Sequence, residues 1–194
     1  MTSISQERSP HEPTGYQMIK SAQISNFRCF AQATLPDCRR INLVVGQNGT
    51  GKTALLEAIF LASGSPSDLS VRIRQWRGLE GAFHGSARLI EDAIWRDLFH
   101  NLDQKQSVSV SFQGTGPHKR ELRVYYGAPD IYVAGPDSLE LMKLENRPSI
   151  YFVYRDHENR KLQISAQFIE EKIRFATIPP QPLALENETY FFAA

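Results

Sequence analysis

Gly46-Gln-Asn-Gly-Thr-Gly-Lys-Thr53 decides how the rest of this chain is read. Glycines at 46, 49 and 51, followed by Lys52 and Thr53, form the pattern of a phosphate-binding P-loop. Glycine lets the backbone take positive φ and bring its N–H groups to an anion with no Cβ in the way. Asn48, Gly49, Thr50 and Gly51 would form a concave nest of such groups, continued by the amides of Lys52 and Thr53. A hydrogen bond to a charged group contributes about 1.5–3 kcal/mol, whereas a helix dipole contributes about 0.3–1 kcal/mol. The nest therefore outweighs the dipole of the helix behind it. Lys52 would reach the β- and γ-phosphates of a nucleotide as a point charge. The Thr53 hydroxyl would complete the shell of a Mg²⁺ ion.

The flanks are those such a loop needs. Ile41-Asn-Leu-Val-Val45 predicts a short buried strand running in, and Ala54-Leu-Leu-Glu-Ala-Ile-Phe-Leu-Ala62 a helix running out. Leu55, Leu56, Ile59 and Phe60 fall on one face at helical spacing, so that face is expected to pack on a sheet as core. Nucleotide contacts are expected from Gly46, Asn48, Gly49, Thr50, Gly51, Lys52, Thr53 and Ala54. Lys52 and Thr53 are also the catalytic candidates, with Thr53 on the metal.

Composition narrows the class. A chain of 194 residues with 41% hydrophobic and 22% charged residues is that of an ordinary globular protein, one large domain or part of a larger one. The net charge of +1 offers no broad field for nucleic acid or an anionic membrane. Cys29 and Cys38 form no C-x-x-C pair, and no secretory leader precedes them, so reduced thiols in a cytoplasmic setting are expected. Residues 1–16 are polar, with two prolines and no apolar run, and read as a flexible tail rather than a signal peptide or membrane span. Residues 17–194 form the folded unit.

Along that unit, 17–26 and 30–35 predict two strands bent around Asn26–Phe30, with Pro36-Asp37 as a turn. Gly64-Ser-Pro-Ser-Asp68 breaks the pattern. Ser86–Phe99 has helical period, with Leu89, Ile90, Ala93, Ile94 and Phe99 as its apolar face. Ser107–Phe112 and Glu121–Tyr126 alternate as strands, and Ser149–Tyr154 pairs with Lys161–Ser165 across Arg155–Arg160. Residues 166–175 fit strand or helix equally. Pro179, Pro180 and Pro182 mark a loop before a final strand at Tyr190–Phe192. Arg72, Arg74 and Arg77 around Trp76 read as a solvated helix face, with contact to a nucleic-acid backbone as the sharper reading. His84, His100, His118 and His157 lack ligand spacing.

Ile24-Ser-Asn-Phe-Arg-Cys-Phe30, the loop Gly46–Thr53 and Leu55-Leu-Glu-Ala-Ile59 together resemble the SMC-like and RecF-like branch of ABC ATPases, which includes the ATPase domains of OLD-type nucleases. The resemblance covers about residues 19–62. It implies an α/β P-loop NTPase core with a mixed sheet, flanked by an antiparallel β-subdomain. It also implies ATP and Mg²⁺ sandwiched between two heads of a homodimer, with Arg28 near the nucleotide phosphates. DNA repair or antiphage defence would be the process served, with DNA and an effector such as a nuclease as partners and no membrane.

Two of the family's motifs are missing from this sequence. Such ATPases carry a Walker B strand ending in Asp-Glu and a Ser-Gly-Gly-type signature. The nearest mimic, Ile150-Tyr-Phe-Val-Tyr-Arg-Asp156, is interrupted by Arg155 and followed at once by another strand, so a hairpin turn is expected there. The chain reads as the N-terminal lobe of a head, able to bind nucleotide with little turnover. Three other readings stand beside it: a truncated, catalytically silent interaction module, a transporter's ATP subunit, and a GTPase. The transporter reading lacks the usual aromatic stretch before the loop, and the GTPase reading lacks the Asn-Lys-x-Asp motif that would read guanine.

Overall fold

The computed structural model describes residues 18–63, 86–128, 148–169 and 172–178. The tail, the Arg72–Arg77 cluster, His84, and the Pro179 loop with the strand expected after it lie outside these. Seven strands appear among the described residues: β1 (Ile19–Phe27), β2 (Phe30–Leu35), β3 (Val108–Gly114), β4 (Lys119–Gly127), β5 (Ser149–Arg155), β6 (Lys161–Ile169) and β7 (Lys172–Ile178). They form one sheet in the order β2-β1-β3-β4-β5-β6-β7, every neighbour antiparallel. The antiparallel β-subdomain expected from the sequence is this sheet. Within the ambiguous stretch, residues 166–169 are strand at the end of β6 and residues 172–175 are strand at the start of β7.

Alternation sorts the strands into two faces. Ile24, Val110, Leu122 and Phe152 line the inner face and are buried. The outer face runs in rows set by the register. One row crosses Thr34, Gln23, Ser111, Glu121, Arg155 and Lys161, and the next crosses Gln32, Ser25, Ser109, Arg123, Val153 and Gln163. Val153 is the one aliphatic side chain in those two rows.

Helix α1 (Lys52–Ser63) lies on the inner face against β1, β3 and β4. Ala54, Leu55, Ala58, Leu61 and Ala62 are its buried apolar residues. The packed stripe is thus rotated from the expected one: Leu56 is 51% exposed, and Ile59 and Phe60 are half-buried. Three alanines explain the rotation, because small side chains let the helix approach the sheet more closely than a stripe of large ones would. The Tyr154 hydroxyl donates to the Leu61 carbonyl at 3.3 Å, tying the far end of α1 to β5. A second helix, α2 (Ala87–Trp95), starts at Ser86, whose hydroxyl accepts from the Leu89 N–H at 3.5 Å. Its core residues are Ile90, Ile94 and Trp95, while Leu89, expected on that face, is 64% exposed. At the end of α2 the chain tightens into 3₁₀ turns at Arg96–Leu98 and His100–Leu102, so Phe99 reaches the core by an extended bridge to Phe27.

One expected element does not form. Ile41–Val45 forms no strand and pairs with none among the described residues, and Ile41, Leu43 and Val45 are 77–86% exposed. A β-strand is held by its neighbours' hydrogen bonds and by burial, and its own sequence supplies neither. What binds the preceding turn is local: Asn42 exchanges side-chain hydrogen bonds with the Arg39 backbone.

The rotated stripe gives two leucines of α1, five positions apart, opposite environments. Leu61→Ala should cost about 2–5 kcal/mol of unfolding free energy, as for a fully buried leucine. Leu56→Ala should stay within about 1 kcal/mol, since its side chain is already largely in water. Urea denaturation of both variants compares them directly.

Candidate functional site

The P-loop sits at the N-terminal end of α1, exposed along Gly46–Thr50. Gly49 has φ 81° and Gly51 has φ 94°, the left-handed region that glycine alone enters without strain. At Gly51 the fold adds a second demand. A Cβ there would stand 2.8 Å from Cys29 Sγ and 2.9 Å from Phe30 Cζ, so the start of α1 abuts the β1–β2 turn. The helix opens with Leu55 N–H donating to Gly51 C=O at 2.9 Å.

Within the loop, Lys52 Nζ donates to the Gly46 carbonyl at 2.8 Å and the Gln47 carbonyl at 2.7 Å. The Thr50 hydroxyl donates to the same Gln47 carbonyl at 2.8 Å. The loop's carbonyls thus gather around the ammonium. Its amides do the opposite: the N–H groups of Asn48, Gly49, Gly51, Lys52 and Thr53 donate to nothing among the described residues. The Thr53 hydroxyl is exposed and likewise without a partner there. Uncommitted amides, a lysine and a free hydroxyl at a helix N-terminus are the donor set that fits a polyphosphate with its Mg²⁺.

Arg28 stands at the joint between the β1–β2 turn and α1. It occupies the β1–β2 turn with φ 51°, its side chain is only 7% exposed, and it is no solvated strand residue. Its Nε lies 2.9 Å from Glu57 Oε2 on α1, and its Nη1 donates to Asp97 Oδ2 at 2.8 Å. Backbone contacts hold the strained turn. Arg28 N–H donates to the Leu98 carbonyl at 3.0 Å, and His100 Nδ1 donates to the Arg28 carbonyl at 2.8 Å. Glu57 lies within the Leu55–Ile59 motif, but no motif pairs it with Arg28 or singles out Asp97 and His100 as partners of that arginine. Only Glu57 left a trace, as a carboxylate at helical spacing within the buried Ala54–Ala58–Leu61 stripe. Pairing an arginine nearly 30 residues away with it requires the tertiary fold.

The Walker B mimic is a hairpin, as its sequence suggested. Asp156 occupies the β5–β6 turn and accepts from the Glu158 and Arg160 N–H groups, both at 2.9 Å, and from the Arg160 guanidinium. Burial by itself would raise its pKa. The Arg160 hydrogen bonds and charge, with the Glu158 N–H, outweigh this and hold the carboxyl below the usual range. Among the described residues no group of three His, Cys, Asp or Glu side chains could hold a metal ion, and Cys29 and Cys38 are free thiols. No described helix is long and apolar enough to cross a membrane.

A P-loop sequence at the N-terminal end of an α-helix that packs on an antiparallel sheet defines an α/β P-loop protein. The protein family described as an AAA domain matches residues 21–179, and the chain belongs to it, within the SMC- and RecF-like branch of P-loop ATPases. The DNA replication and repair protein RecF of Lachnoclostridium phytofermentans is 29% identical over 133 residues, covering 68% of this chain and 36% of that protein. RecF of Shouchella clausii is 26% identical over 129 residues, covering 65% and 33%. The chain therefore spans about a third of the length of these relatives. A solved structure titled "Structural biochemistry of ATP-driven dimerization and DNA stimulated activation of SMC ATPases" aligns with 89% of this chain and 75% of its own. The identity there is 10% and the TM-score 0.32.

Two outcomes check this geometry. Arg28→Ala removes the guanidinium that the buried Glu57 and the half-buried Asp97 share and should cost up to about 3–5 kcal/mol. The Arg28→Ala/Glu57→Ala double variant should lose far less than the sum of the two single changes, as a double-mutant cycle of unfolding free energies would register. For Asp156, a lowered folded pKa means its contribution is fully present above the unfolded value of about 3.9 and is lost as pH falls through the folded one. Asp156→Asn should therefore flatten the acid limb of the stability–pH curve below about pH 4 and leave its shape at neutral pH unchanged.

Proposed function

We propose that this chain is the nucleotide-binding N-terminal lobe of an ATPase head, with residues 17–194 as the lobe and 1–16 as a tail. The uncommitted amides of the P-loop carry the reading. Asn48, Gly49, Gly51, Lys52 and Thr53 offer their N–H groups to phosphate oxygens, with Gly46, Thr50 and Ala54 completing the wall. Lys52 exchanges its two carbonyl partners for the β- and γ-phosphates, and the Thr53 hydroxyl takes a place on Mg²⁺. The Mg²⁺ would neutralise charge on the phosphates. Arg28 enters through α1: its ion pair with Glu57 holds the helix whose end carries Lys52 and Thr53.

In the complete head we place ATP hydrolysis, head-to-head homodimerisation and service in DNA repair, in a cytoplasmic setting. The family membership and the names of the RecF relatives support this. Antiphage defence with a nuclease effector is the neighbouring option within the same branch. The exposed Ile41–Val45 segment supports the view that further strands cover it in the whole protein. Hydrolysis requires a group to position water and further charge to neutralise the γ-phosphate, and the Asp156 turn offers neither. A catalytically silent binding module is the second reading for this chain by itself, favoured by that absence from the described residues.

Calorimetry with Mg-ATP tests the reading. A dissociation constant of micromolar or weaker is expected, about −8 kcal/mol at its strongest. Lys52→Ala should weaken it at least about tenfold, by the loss of one charge-assisted contact worth about 1.5–3 kcal/mol. GTP should compete no better than ATP. No heat of binding at millimolar Mg-ATP would refute nucleotide binding. Steady turnover that disappears in Lys52→Ala would refute the claim that the hydrolytic groups lie outside this chain.

A further inference from the structure

Val153 lies at the centre of a small basic cup on the outer face of the sheet, turned away from α1. The register sets Arg123 of β4 directly opposite Val153, and Lys161 of β6 directly opposite Arg155, the next outward residue of β5. Directly opposed side chains stand about 4.5–5.5 Å apart at Cβ and diagonal ones about 7–8 Å, within the reach of long side chains. All three cations are exposed, so their heads converge over the buried Val153. With Glu121, Tyr125 and Val153 they line a depression of about 220 Å³.

The charge of this cup is not answered from within the protein. Arg155 and Lys161 are like charges opposed on a sheet, an arrangement that destabilises it. Neither has a bonded partner among the described residues, and Glu121, directly opposite Arg155, forms no ion pair with it there. Three cations and one carboxylate leave +2 on a chain whose overall charge is +1. Arg123 is held ready. Its guanidinium sits 5.6 Å from the centre of the Tyr125 ring, and Tyr125 stacks on the buried Tyr151 at 5.3 Å and 17°. The Tyr151 hydroxyl donates to the Ala128 carbonyl at 2.9 Å, which fixes the stack. A cation held in this way loses little rotamer freedom when it meets an anion.

Two features limit the ligand to one charged group. In the same two rows, β3, β1 and β2 contribute only Ser111, Gln23, Thr34, Ser109, Ser25 and Gln32, so the cations do not continue as a track. The depression is also smaller than the roughly 300–1,000 Å³ of pockets that enclose a whole ligand. We propose that the cup binds a single phosphoryl dianion, carried either by free phosphate or by a phosphorylated side chain of a partner. A phosphoryl group carries about −1.5 to −2 at neutral pH, which matches the +2 of the cup, whereas a carboxylate would leave half of it standing. Arg155 and Lys161 then share one anion instead of opposing each other. The site lies on the opposite face of the sheet from the helix that carries Lys52, and it does not rest on the nucleotide reading.

Nuclear magnetic resonance titration of the isotope-labelled full chain tests it, with Lys52→Ala to silence the P-loop and sodium chloride to match ionic strength. Inorganic phosphate or a phosphoserine peptide should shift the amides of Arg123, Val153, Arg155 and Lys161 and saturate at about 1 mM or below. Affinity should rise by up to about tenfold as pH passes through the ligand's second pKa, near 6 for phosphoserine, while sulfate should show no such rise. Arg155→Ala/Lys161→Ala should weaken binding about tenfold, for two exposed charge contacts, without lowering the melting temperature. Tighter binding of the peptide assigns the site to a phosphorylated partner, and tighter binding of inorganic phosphate assigns it to the free anion. Binding of neither would overturn the proposal, as would an unchanged titration in the double variant or shifts that chloride alone reproduces. A DNA duplex that displaces phosphate from these amides at equal phosphate concentration would overturn the limit to one dianion.

Discussion

The close seating of α1 on the sheet is the constraint on which this structure depends. Ala54, Ala58 and Ala62 remove the bulk that would hold the helix away, and Leu55 and Leu61 fill the space against β1, β3 and β4. Because the helix cannot shift on that surface, its first turn has a fixed place. Gly51 then meets the β1–β2 turn at a distance no other residue would allow. Lys52 and Thr53 are thereby set at a defined point on the surface, which a free Gly-rich loop could not achieve.

Arg28 reinforces the same joint from the side. Its contacts with Glu57 and Asp97 link the β1–β2 turn, α1 and the 3₁₀ turn after α2. A buried pair of this kind is weak evidence for net stability, because desolvation opposes the attraction. Its consequence is geometric. An arginine held between two carboxylates, in a turn whose backbone N–H and C=O are both bonded, leaves few alternative packings for three elements at once. The positive φ at Arg28, costing about 1–3 kcal/mol, is held by those bonds.

The sheet shows how one register can serve two surfaces. Its inner face is apolar and covered by helix, and its outer face is polar from β2 to β4. Rows that cross six strands set side by side residues far apart in sequence, such as Gln23 beside Ser111 and Glu121 beside Arg155. The basic patch exists only in that register, since a shift of one residue would turn Arg123 and Arg155 into the core.

Period and turn chemistry alone made much of this legible. The alternation of Val108, Val110 and Phe112, the break at Asn26–Phe30, the helix after Lys52 and the hairpin at Asp156 follow from rules local to a few residues. So does the P-loop pattern, which occupies eight consecutive positions from Gly46 to Thr53. What packs against what was decided only by the tertiary structure. It turned α1 onto its alanines and left Leu56 and Leu89 in water. It left Ile41–Val45 unpaired among the described residues, because a strand needs neighbours that its own sequence does not contain. It also set Arg28 on Glu57 and Arg155 opposite Lys161. Periodicity states which side of an element is apolar, while the partner of each side chain depends on how distant segments approach one another.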